Sequence, residues 1–219
     1  MLSVVIPTLN AARFLERALA PLTAHAGEIL VVDGGSQDGT PTVAAANGAR
    51  TMQAPPGRGA QLAAGIATAR WDWLLLLHAD TVLAKGWHTA AAAFMAEGGH
   101  RAGYFRFALD SPAPQARRLE RLVAWRSRAL GLPYGDQGLL IARPLLEEVG
   151  GMRPLPLMED VDLVRRIGRR RLVGLDAAAM TSAERWERDG WYRRSARNLS
   201  CLGLYYVGLP TRHIARLYQ

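Results

Sequence analysis

The sequence predicts a single α/β domain with an open, mixed and mainly parallel sheet flanked by helices. Three observations support this prediction: strand-like and helix-like segments alternate through the first hundred residues, one of the strands is apolar on both faces, and aspartates stand where two strands end. Strands that alternate with helical patterns of about 10–15 residues are typical of βαβ units and a parallel sheet. A chain of 219 residues buries roughly 70% of its unfolded surface, which is enough for one sizeable core.

The first hundred residues hold four predicted strands and three predicted helices. The strands are residues 2–7, 28–33, 50–53 and 73–78, and the helices are residues 11–24, 40 to about 47, and 57–69. Thr40 is expected to cap the second helix, because a threonine hydroxyl accepts a hydrogen bond from a first-turn amide. The fourth strand has no polar face, which predicts a central place in the sheet.

The pattern changes after residue 100. Residues 103–109 alternate in side-chain character and predict an antiparallel edge strand or linking strand. They are followed by a basic helix at 112–130, a short strand at 138–142 and a helix at 160–170 with Val161, Val164 and Ile167 on one face. The sequence has no repeat and no low-complexity linker, so this half is expected to complete the same domain.

The charge of the chain is unevenly distributed. Residues 1–100 carry 6 basic and 7 acidic side chains, and the remainder carries 21 and 12, which gives a net charge of +8. Arginines at 117, 118, 121, 126, 128 and 169–171 account for part of this excess. A basic half favours an anionic partner, so one reading is a noncatalytic binding module for nucleic acid or for an anionic membrane surface.

The sequence has little that suggests a signal peptide, a disulfide or a membrane-spanning segment. Cys201 is the single cysteine, so no intramolecular disulfide forms, which fits a reducing cytoplasmic setting. The N-terminus lacks the basic lead of a signal peptide, and no apolar run approaches the ~20 residues of a membrane helix. Residues 199–209 form the longest apolar candidate. They leave open a docked core helix or a peripheral contact at the inner membrane face.

Acidic side chains mark the carboxyl ends of two strands. Asp33 closes the second strand, and Asp80 follows the fourth. Ligands of open parallel sheets bind at this edge, so both carboxylates are expected at one crevice. His78 and Asp80 offer an imidazole and a carboxylate to a divalent ion; Mn²⁺ accepts both ligand types, whereas Mg²⁺ prefers oxygen. The alternative roles are a turn residue for Asp33, a helix cap for Asp80 and a hydrogen-bonded pair at the strand end for His78 and Asp80.

Five short blocks of sequence occur in a characteristic order. The first three are residues 4–10 (VVIPTLN), 31–40 (VVDGGSQDGT) and 78–80 (HAD), and the later two are 158–163 (MEDVDL) and 184–186 (ERW). Together they resemble glycosyltransferase family 2, whose fold is the nucleotide-sugar-binding GT-A fold: MEDVDL is similar to its acidic general-base motif, and ERW resembles the end of its tryptophan motif. Residues 57–61 (GRGAQ) and 135–138 (GDQG) look more narrowly like a small bacterial subgroup described in places as arsenosugar-biosynthesis glycosyltransferases.

The resemblance implies a nucleotide-sugar site in the first half of the chain. Asp33 would bind the base or ribose of a UDP- or GDP-sugar, and Asp38 would support its loop. Asp80, with His78, would hold the Mn²⁺ or Mg²⁺ that bridges the donor diphosphate, and a cation with arginines neutralises the charge on the leaving group. The full set of expected donor contacts is Pro7, Asp33, Asp38, Arg58, His78, Asp80 and Arg185.

The resemblance also implies a catalytic base and an acceptor site. Asp160 would take the proton of the attacking hydroxyl in a single displacement that inverts the anomeric centre. Its alternative role is to stabilise the helix N-terminus as an anion. The expected acceptor contacts are Asp136, Gln137, Glu159 and Trp186. The acceptor would be a small molecule or a lipid-linked molecule, and nucleic acid is not expected beside acidic motifs.

Two positions depart from the family pattern. His78 stands where the family usually has aspartate, and Ser182 replaces the glutamine or arginine of the tryptophan motif. For Arg185 and Trp186 the alternative is a surface ion pair with Glu184 or Glu187 and a packed aromatic ring. On this reading residues 1–100 form the nucleotide-sugar half, 101–190 the acceptor and catalytic half, and 191–219 a C-terminal helical segment.

Rival enzyme classes lack their signatures. A haloacid-dehalogenase phosphatase needs an aspartate where His78 stands, and a dinucleotide oxidoreductase needs Gly-x-Gly-x-x-Gly where residues 8–10 read Thr-Leu-Asn. The excess of arginine in the second half therefore fits diphosphate chemistry around a leaving group.

Overall fold

The computed structural model describes residues 1–218 and has the predicted α/β architecture. The strands are β1 (Leu2–Thr8), β2 (Glu28–Asp33), β3 (Arg50–Gln53), β4 (Trp73–Leu76), β5 (Thr81–Leu83), β6 (Ala102–Leu109), β7 (Leu139–Ala142) and β8 (Leu172–Thr181). The helices are α1 (Ala12–Leu19), α2 (Thr40–Ala46), α3 (Arg58–Thr68), α4 (Trp87–Ala96), α5 (Pro114–Leu130), α6 (Arg143–Glu148), α7 (Glu159–Ile167), α8 (Glu184–Asp189), α9 (Trp191–Tyr206) and α10 (Thr211–Tyr218).

One mixed sheet of eight strands runs through the molecule in the order β3-β2-β1-β4-β7-β6-β8-β5. The first four strands in this order are parallel to one another, β7 is antiparallel to both β4 and β6, and β8 is parallel to β6 and antiparallel to β5. The sheet is therefore mainly parallel, and β4 is central as predicted. Because β1, β2 and β4 run in one direction, their carboxyl ends meet at one edge.

Both faces of β1 and β2 are buried. Val4 and Val31 pack with the α1 side chain Leu15 in one core, and Val5 and Val32 pack with residues of α3 in a second core on the opposite face. Successive side chains of a strand point to opposite faces, so a strand covered on both sides must be apolar throughout. This requirement explains the unbroken hydrophobic runs of β1 and β2.

Several element predictions were wrong in detail. The strand at 103–109 is β6, which is antiparallel to β7 and lies inside the sheet between β7 and β8, so of the two predicted alternatives it is the linking strand and not the edge. Thr40 starts α2 but does not cap it, because its hydroxyl donates to Asp38 and the preceding Gly39 has a φ of 81°. The helix predicted at 160–170 ends at Ile167. The next residue, Gly168, has a φ of 82°, and Arg169–Arg171 form a 3₁₀ turn.

The sequence patterns did not reveal β5, α4, α6 and β8. The strand β8 reads LVGLDAAAMT, and glycine and alanine have low strand propensity. Its position depends on pairing with β6 over Ala102↔Leu172 to Leu109↔Thr181, with an irregularity between Tyr104 and Arg106. Long-range pairing therefore sets this strand where local preference does not.

The C-terminal segment is a pair of helices that packs on the domain. Cys201 of α9 and Ile214 of α10 are buried beside Leu157 in a small apolar cluster. The Leu157–Met158 segment in that cluster directly precedes α7. Within residues 1–218, no helix combines the length and apolar character needed to cross a membrane.

Candidate active site

Two adjoining cavities open at the carboxyl edge of the parallel strands. The central cavity, of about 150 Å³, is lined by Arg58, His78, Asp80, Tyr134, Asp136, Leu157, Met158, Asp160, Val161, Thr181, Ser182, Arg185, Trp186, Arg194, Asn198, Leu202 and Tyr218. The β1 cleft, of about 230 Å³, is lined by Pro7, Thr8, Leu9, Asn10, Ala11, Phe14, Gly57, Arg58, Gln61, His78, Ala79, Asp80 and Arg185. Four side chains, those of Arg58, His78, Asp80 and Arg185, belong to both.

Asp160 lies at the start of α7 and faces the central cavity. Its Oδ2 accepts a 2.8 Å hydrogen bond from the backbone N–H of Gly135, and its Oδ1 accepts one of 2.8 Å from the N–H of Val161. Met158 precedes the helix with a φ of 64°, a conformation that costs a non-glycine residue on the order of 1 kcal/mol. The carboxylate therefore serves the helix N-terminus and lines the cavity at once.

Glu159 is buried behind the cavity wall rather than in it. Its side chain is 1% exposed, and its Oε1 lies 2.8 Å from Nε of Arg58, whose side chain is 42% exposed. Burial raises the pKa of Glu159 to about 7, and the adjacent guanidinium of Arg58 opposes that rise. Glu159 thus anchors Arg58 at the boundary between the two cavities, and it lines neither of them.

His78 and Asp80 lie together in both cavities, as the strand-end motif predicted. Burial lowers the pKa of His78 to about 4, with Arg58 adding to that effect, so its imidazole is neutral at physiological pH and carries a free lone pair. The imidazole lies over Gly135, where a Cβ atom would come within 2.4 Å of its Nε2. No group of three or more His, Cys, Asp or Glu side chains arranged to hold a metal occurs within the described part of the chain.

Asp33 and Asp38 organise the loop after β2 and do not line either cavity. The carboxylate of Asp33 accepts hydrogen bonds from the hydroxyls of Thr8 and Ser36 and from the backbone N–H groups of Gly35 and Ser36. Burial opposes ionisation, but these bonds together hold the pKa of Asp33 below its ordinary value. Asp38 accepts hydrogen bonds from Ala12 and Thr40, which ties the loop to α1.

Asp136 and Gln137, adjacent in sequence, face different surroundings. Asp136 lines the central cavity, where burial raises its pKa to about 6. Its Oδ1 is buried and has no hydrogen-bond partner among residues 1–218. Gln137 is 1% exposed and is fixed in the core, where it donates to the Phe105 carbonyl and accepts from the Ser127 hydroxyl. Gln137 therefore supports the turn before β7 and does not reach the cavity.

Arg185 and Trp186 both line the central cavity. The ion pair expected as their alternative does not form, because Glu184 binds Arg13 at 2.9 Å and Glu187 accepts a hydrogen bond from the Ser111 hydroxyl. The Trp186 ring stacks on Trp191 at a centroid distance of 6.1 Å.

Sequence reasoning missed the part of the cavity that comes from other segments. Tyr134, Thr181, Arg194, Asn198 and Tyr218 line the central cavity without belonging to any motif. Arg194 is one arginine among many, and α9 has no spacing signature that marks it. The packing of α9 and α10 beside Leu157 brings Arg194, Asn198 and Tyr218 to the site, whereas Thr181 ends β8 and Tyr134 follows α5.

A comparison with protein-family models identifies the family of this chain. Residues 3–149 match the model described as Glycosyl transferase family 2. The chain belongs to glycosyltransferase family 2. The match covers the two nucleotide-half motifs and the His78–Asp80 strand end, so the family resemblance predicted from those blocks is confirmed, and the protein is a nucleotide-sugar-dependent glycosyltransferase of this family.

Solved structures share the fold at low sequence identity. A glucosyl-3-phosphoglycerate synthase from Mycobacterium tuberculosis in complex with Mn²⁺ and uridine-diphosphate-glucose is 19% identical, with a TM-score of 0.59 over 83% of this chain and 69% of that chain. The same enzyme in complex with phosphoglyceric acid is 22% identical, with a TM-score of 0.55 over 83% and 70%. These likenesses confirm the GT-A fold. No curated protein sequence matches this glycosyltransferase.

Proposed function

We propose that this family 2 enzyme transfers a glycosyl group from a UDP- or GDP-sugar to an acceptor hydroxyl, with inversion and with Asp160 as the general base. One observation carries the proposal: the Asp160 carboxylate faces the same cavity as Asp80, Arg58 and Arg185. A base on one side and cationic groups on the other are what a single displacement requires, because the nucleophile loses a proton while the leaving diphosphate gains charge.

The donor is assigned to the β1 cleft and to its junction with the central cavity. Pro7 and Thr8 line the cleft beside β1, and Arg58 and Arg185 supply two guanidinium groups where the cavities join. Guanidinium groups bind phosphate oxygens through two parallel N–H bonds. Asp33 and Asp38 act by holding the β2 loop that closes this side, and the side chain of Gln61 donates to the Thr8 and Val32 carbonyls beneath it.

A divalent cation, Mn²⁺ or Mg²⁺, is proposed at His78 and Asp80. A neutral imidazole and a carboxylate suit Mn²⁺, and the lack of a third protein ligand within residues 1–218 fits an ion that completes its shell with diphosphate oxygens and water. When bound, such an ion neutralises charge on the leaving diphosphate. The relative from M. tuberculosis was solved with Mn²⁺ and, separately, with Mg²⁺ and uridine-diphosphate.

Asp160 is positioned to receive the proton of the acceptor hydroxyl. Its two oxygens are fixed by backbone N–H groups at 2.8 Å, and each oxygen retains a further lone pair. Trp186 and Asp136 line the same cavity and are proposed to contact a small-molecule or lipid-linked acceptor. Glu159 acts on this site indirectly, through Arg58.

A peripheral contact with the inner face of the membrane is proposed for α5. Its exposed side carries Leu122 (53% exposed) and Trp125 (55%) among Arg118, Arg121 and Arg128. Aromatic and basic side chains on one helix face favour an anionic lipid surface. Flotation with anionic vesicles should recover the cytoplasmic protein and should fail with neutral vesicles. No co-flotation would reject the contact.

The transfer reaction is tested by nucleoside diphosphate release across UDP-, GDP- and dTDP-sugars with Mn²⁺. We expect release from one donor class, a loss of ~10²–10⁴-fold in Asp160→Asn, and full activity in Asp176→Asn, which changes an exposed aspartate on β8. Release that persists unchanged in Asp160→Asn would reject the base assignment. Stabilisation by an oligonucleotide, with no effect of any nucleotide or sugar nucleotide, would favour the noncatalytic binding module instead.

A further inference from the structure

Three guanidinium groups converge on one carboxylate where α8 meets α9. Asp189 lies 2.8 Å from Nε of Arg188, 2.8 Å from Nη1 of Arg194 and 3.2 Å from Nη2 of Arg197. We call these four residues the arginine corner. One negative charge against three positive charges leaves a local surplus of two. The pKa of Asp189 is lowered to about 2, first by the hydrogen bond from Arg188 and then by Arg194, so the carboxylate stays ionised.

Arg194 is the residue of the arginine corner that lines the central cavity. It is only 7% exposed, lines the cavity, and lies with its guanidinium carbon 5.4 Å from the Trp186 ring. Its Nη2 donates to the Tyr218 hydroxyl at 3.4 Å, but its Nε is buried without a hydrogen-bond partner in residues 1–218. Buried polar atoms of folded proteins are nearly always paired, and this unpaired donor belongs to a side chain that lines the cavity, where a bound group could accept a hydrogen bond from it.

Asn198 adds a second unsatisfied group on the same helix. It stands four residues after Arg194, which places both on one face of α9, and it also lines the central cavity. Its Oδ1 is a buried acceptor without a partner among the described residues, so the group that can donate to an anion is its Nδ2 amide. Tyr218 of α10 contributes a hydroxyl to the same wall. Two helices thus bring guanidinium, amide and hydroxyl groups to one place.

This wall is separate from the proposed donor end. Arg194, Asn198 and Tyr218 line the central cavity and not the β1 cleft, whereas Arg58 and Arg185 line both. Asp80, Asp136 and Asp160 line the remainder of the central cavity, and carboxylates there repel an anion. The favourable place for a negative group is therefore the wall next to the arginine corner.

We propose that Arg194, with Asn198 and Tyr218, forms a subsite for an anionic group of the acceptor substrate, either a phosphate or a carboxylate. The inference rests on the proposed transferase function and defines its acceptor as an alcohol that carries a negative charge. Arg194 binds the anion with its guanidinium fork, and the acceptor hydroxyl then lies toward Asp160. The α9–α10 pair is in this way a specificity element of the site.

Binding is tested by thermal unfolding with Mg²⁺ and a saturating concentration of the nucleoside diphosphate that the donor screen selects, UDP or GDP, so that the donor arginines are already occupied. Inorganic phosphate and acetate are titrated separately at constant ionic strength with NaCl. We expect one anion to raise Tm, which distinguishes a phosphorylated from a carboxylated acceptor. Arg194→Gln should lower the affinity for that anion at least tenfold. Arg193→Gln, at an exposed position on the same helix, should leave the affinity unchanged. No stabilisation by either anion, or equal affinity in Arg194→Gln, overturns the subsite.

A second measurement avoids dependence on the buried arginine. Asn198→Ala and Tyr218→Phe keep Arg194 in place and should each weaken the anion by about threefold or more; unchanged affinity in both would also overturn the subsite. In assays of nucleoside diphosphate release, alcohols with a phosphate or carboxylate should stimulate turnover and neutral polyols should not, and the reverse preference counts against the proposal. Stabilisation by the selected nucleoside diphosphate with Mg²⁺ alone reports the donor site, so its presence without an anion effect rejects this inference and leaves the transferase proposal standing.

Discussion

The backbone N–H of Gly135 donates a hydrogen bond to Oδ2 of Asp160, and the same glycine lies beneath the His78 imidazole. The two ends of the hydrogen bond are 25 residues apart in the chain. Gly135 thus joins the proposed metal side of the cavity to the proposed base. A side chain at this position would disturb both groups at once.

Gly135→Ala should reduce both catalysis and stability. The new Cβ would lie 2.4 Å from Nε2 of His78 and 3.3 Å from Oδ2 of Asp160, so one or both must shift. A displacement of about 1 Å at a reacting group costs on the order of 10²-fold in rate, whereas overpacking costs about 1–3 kcal/mol in unfolding free energy. Nucleoside diphosphate release and urea unfolding measure the two effects.

Gly203→Ala is the matched control, because its Cβ would meet nothing within 4 Å and it lies inside α9. It should keep full activity and gain about 0.5–1 kcal/mol from helix propensity. Wild-type activity in Gly135→Ala would contradict the role given to this glycine.

Asp33→Asn should destabilise the β2 loop. An amide nitrogen replaces an oxygen that accepts from backbone N–H or hydroxyl groups, so about 1–3 kcal/mol of unfolding free energy should be lost. The folded-state pKa of Asp33 is below the ordinary value of 3.8, so its stabilisation is present above that pH and is lost as pH falls through the folded value. Urea unfolding at pH 7 and under acidic conditions tests this, with Asp176→Asn as the exposed control. Equal stability of Asp33→Asn and wild type at pH 7 would argue against it.

Glu159 should make the metal-free protein less stable as pH rises. Its pKa rises from 4.5 in the unfolded chain to about 7 in the folded one, so the folded state binds more protons between these values and stability declines through that window. Thermal unfolding in EDTA should show a lower Tm at pH 8 than at pH 5. The corresponding loss of unfolding free energy should be on the order of 1–3 kcal/mol. Asp136, with a pKa of about 6, contributes in the same direction, whereas His78, whose pKa falls from 6.5 to about 4 on folding, opposes the decline below pH 6.5.

The variant Glu159→Gln should show a shallower decline of Tm with pH, because the titrating carboxyl is gone. Glu147→Gln changes an exposed carboxylate of α6 and should keep the wild-type slope. An unchanged slope in Glu159→Gln would exclude Glu159 as the source.

Asp80→Ala should uncouple nucleotide binding from metal. UDP or GDP should raise the Tm of the wild type more with Mn²⁺ than with EDTA, because an ion held by Asp80 would neutralise charge on the diphosphate. In Asp80→Ala the two conditions should give the same small shift. Asp72→Ala, which changes an exposed aspartate before β4, should behave as wild type. A full Mn²⁺ effect in Asp80→Ala would place the ion elsewhere.

The nucleotide half was predictable because its signals are local. Each βαβ unit is contiguous in sequence, so β1, β2 and β4 and the acidic residues at their ends can be read from apolar runs and turn residues. The parallel order then requires these ends to meet. The same reasoning placed Asp33 at the crevice but did not show that its oxygens are already used by Thr8, Gly35 and Ser36.

By itself, the sequence determined the fold class, the central place of β4, the His78–Asp80 strand end and the acidic start of α7. Tertiary structure decided the rest: the position of β8, the hydrogen bond from Gly135 to Asp160, the Arg58–Glu159 pair, and the arrival of Arg194, Asn198 and Tyr218 at the cavity. The physical reason is the separation along the chain of the residues that come into contact. Propensity and periodicity depend on residues within a few turns of one another, whereas these contacts join segments that are far apart in the chain, and those of Arg194, Asn198 and Tyr218 also require the α9–α10 pair to pack beside Leu157.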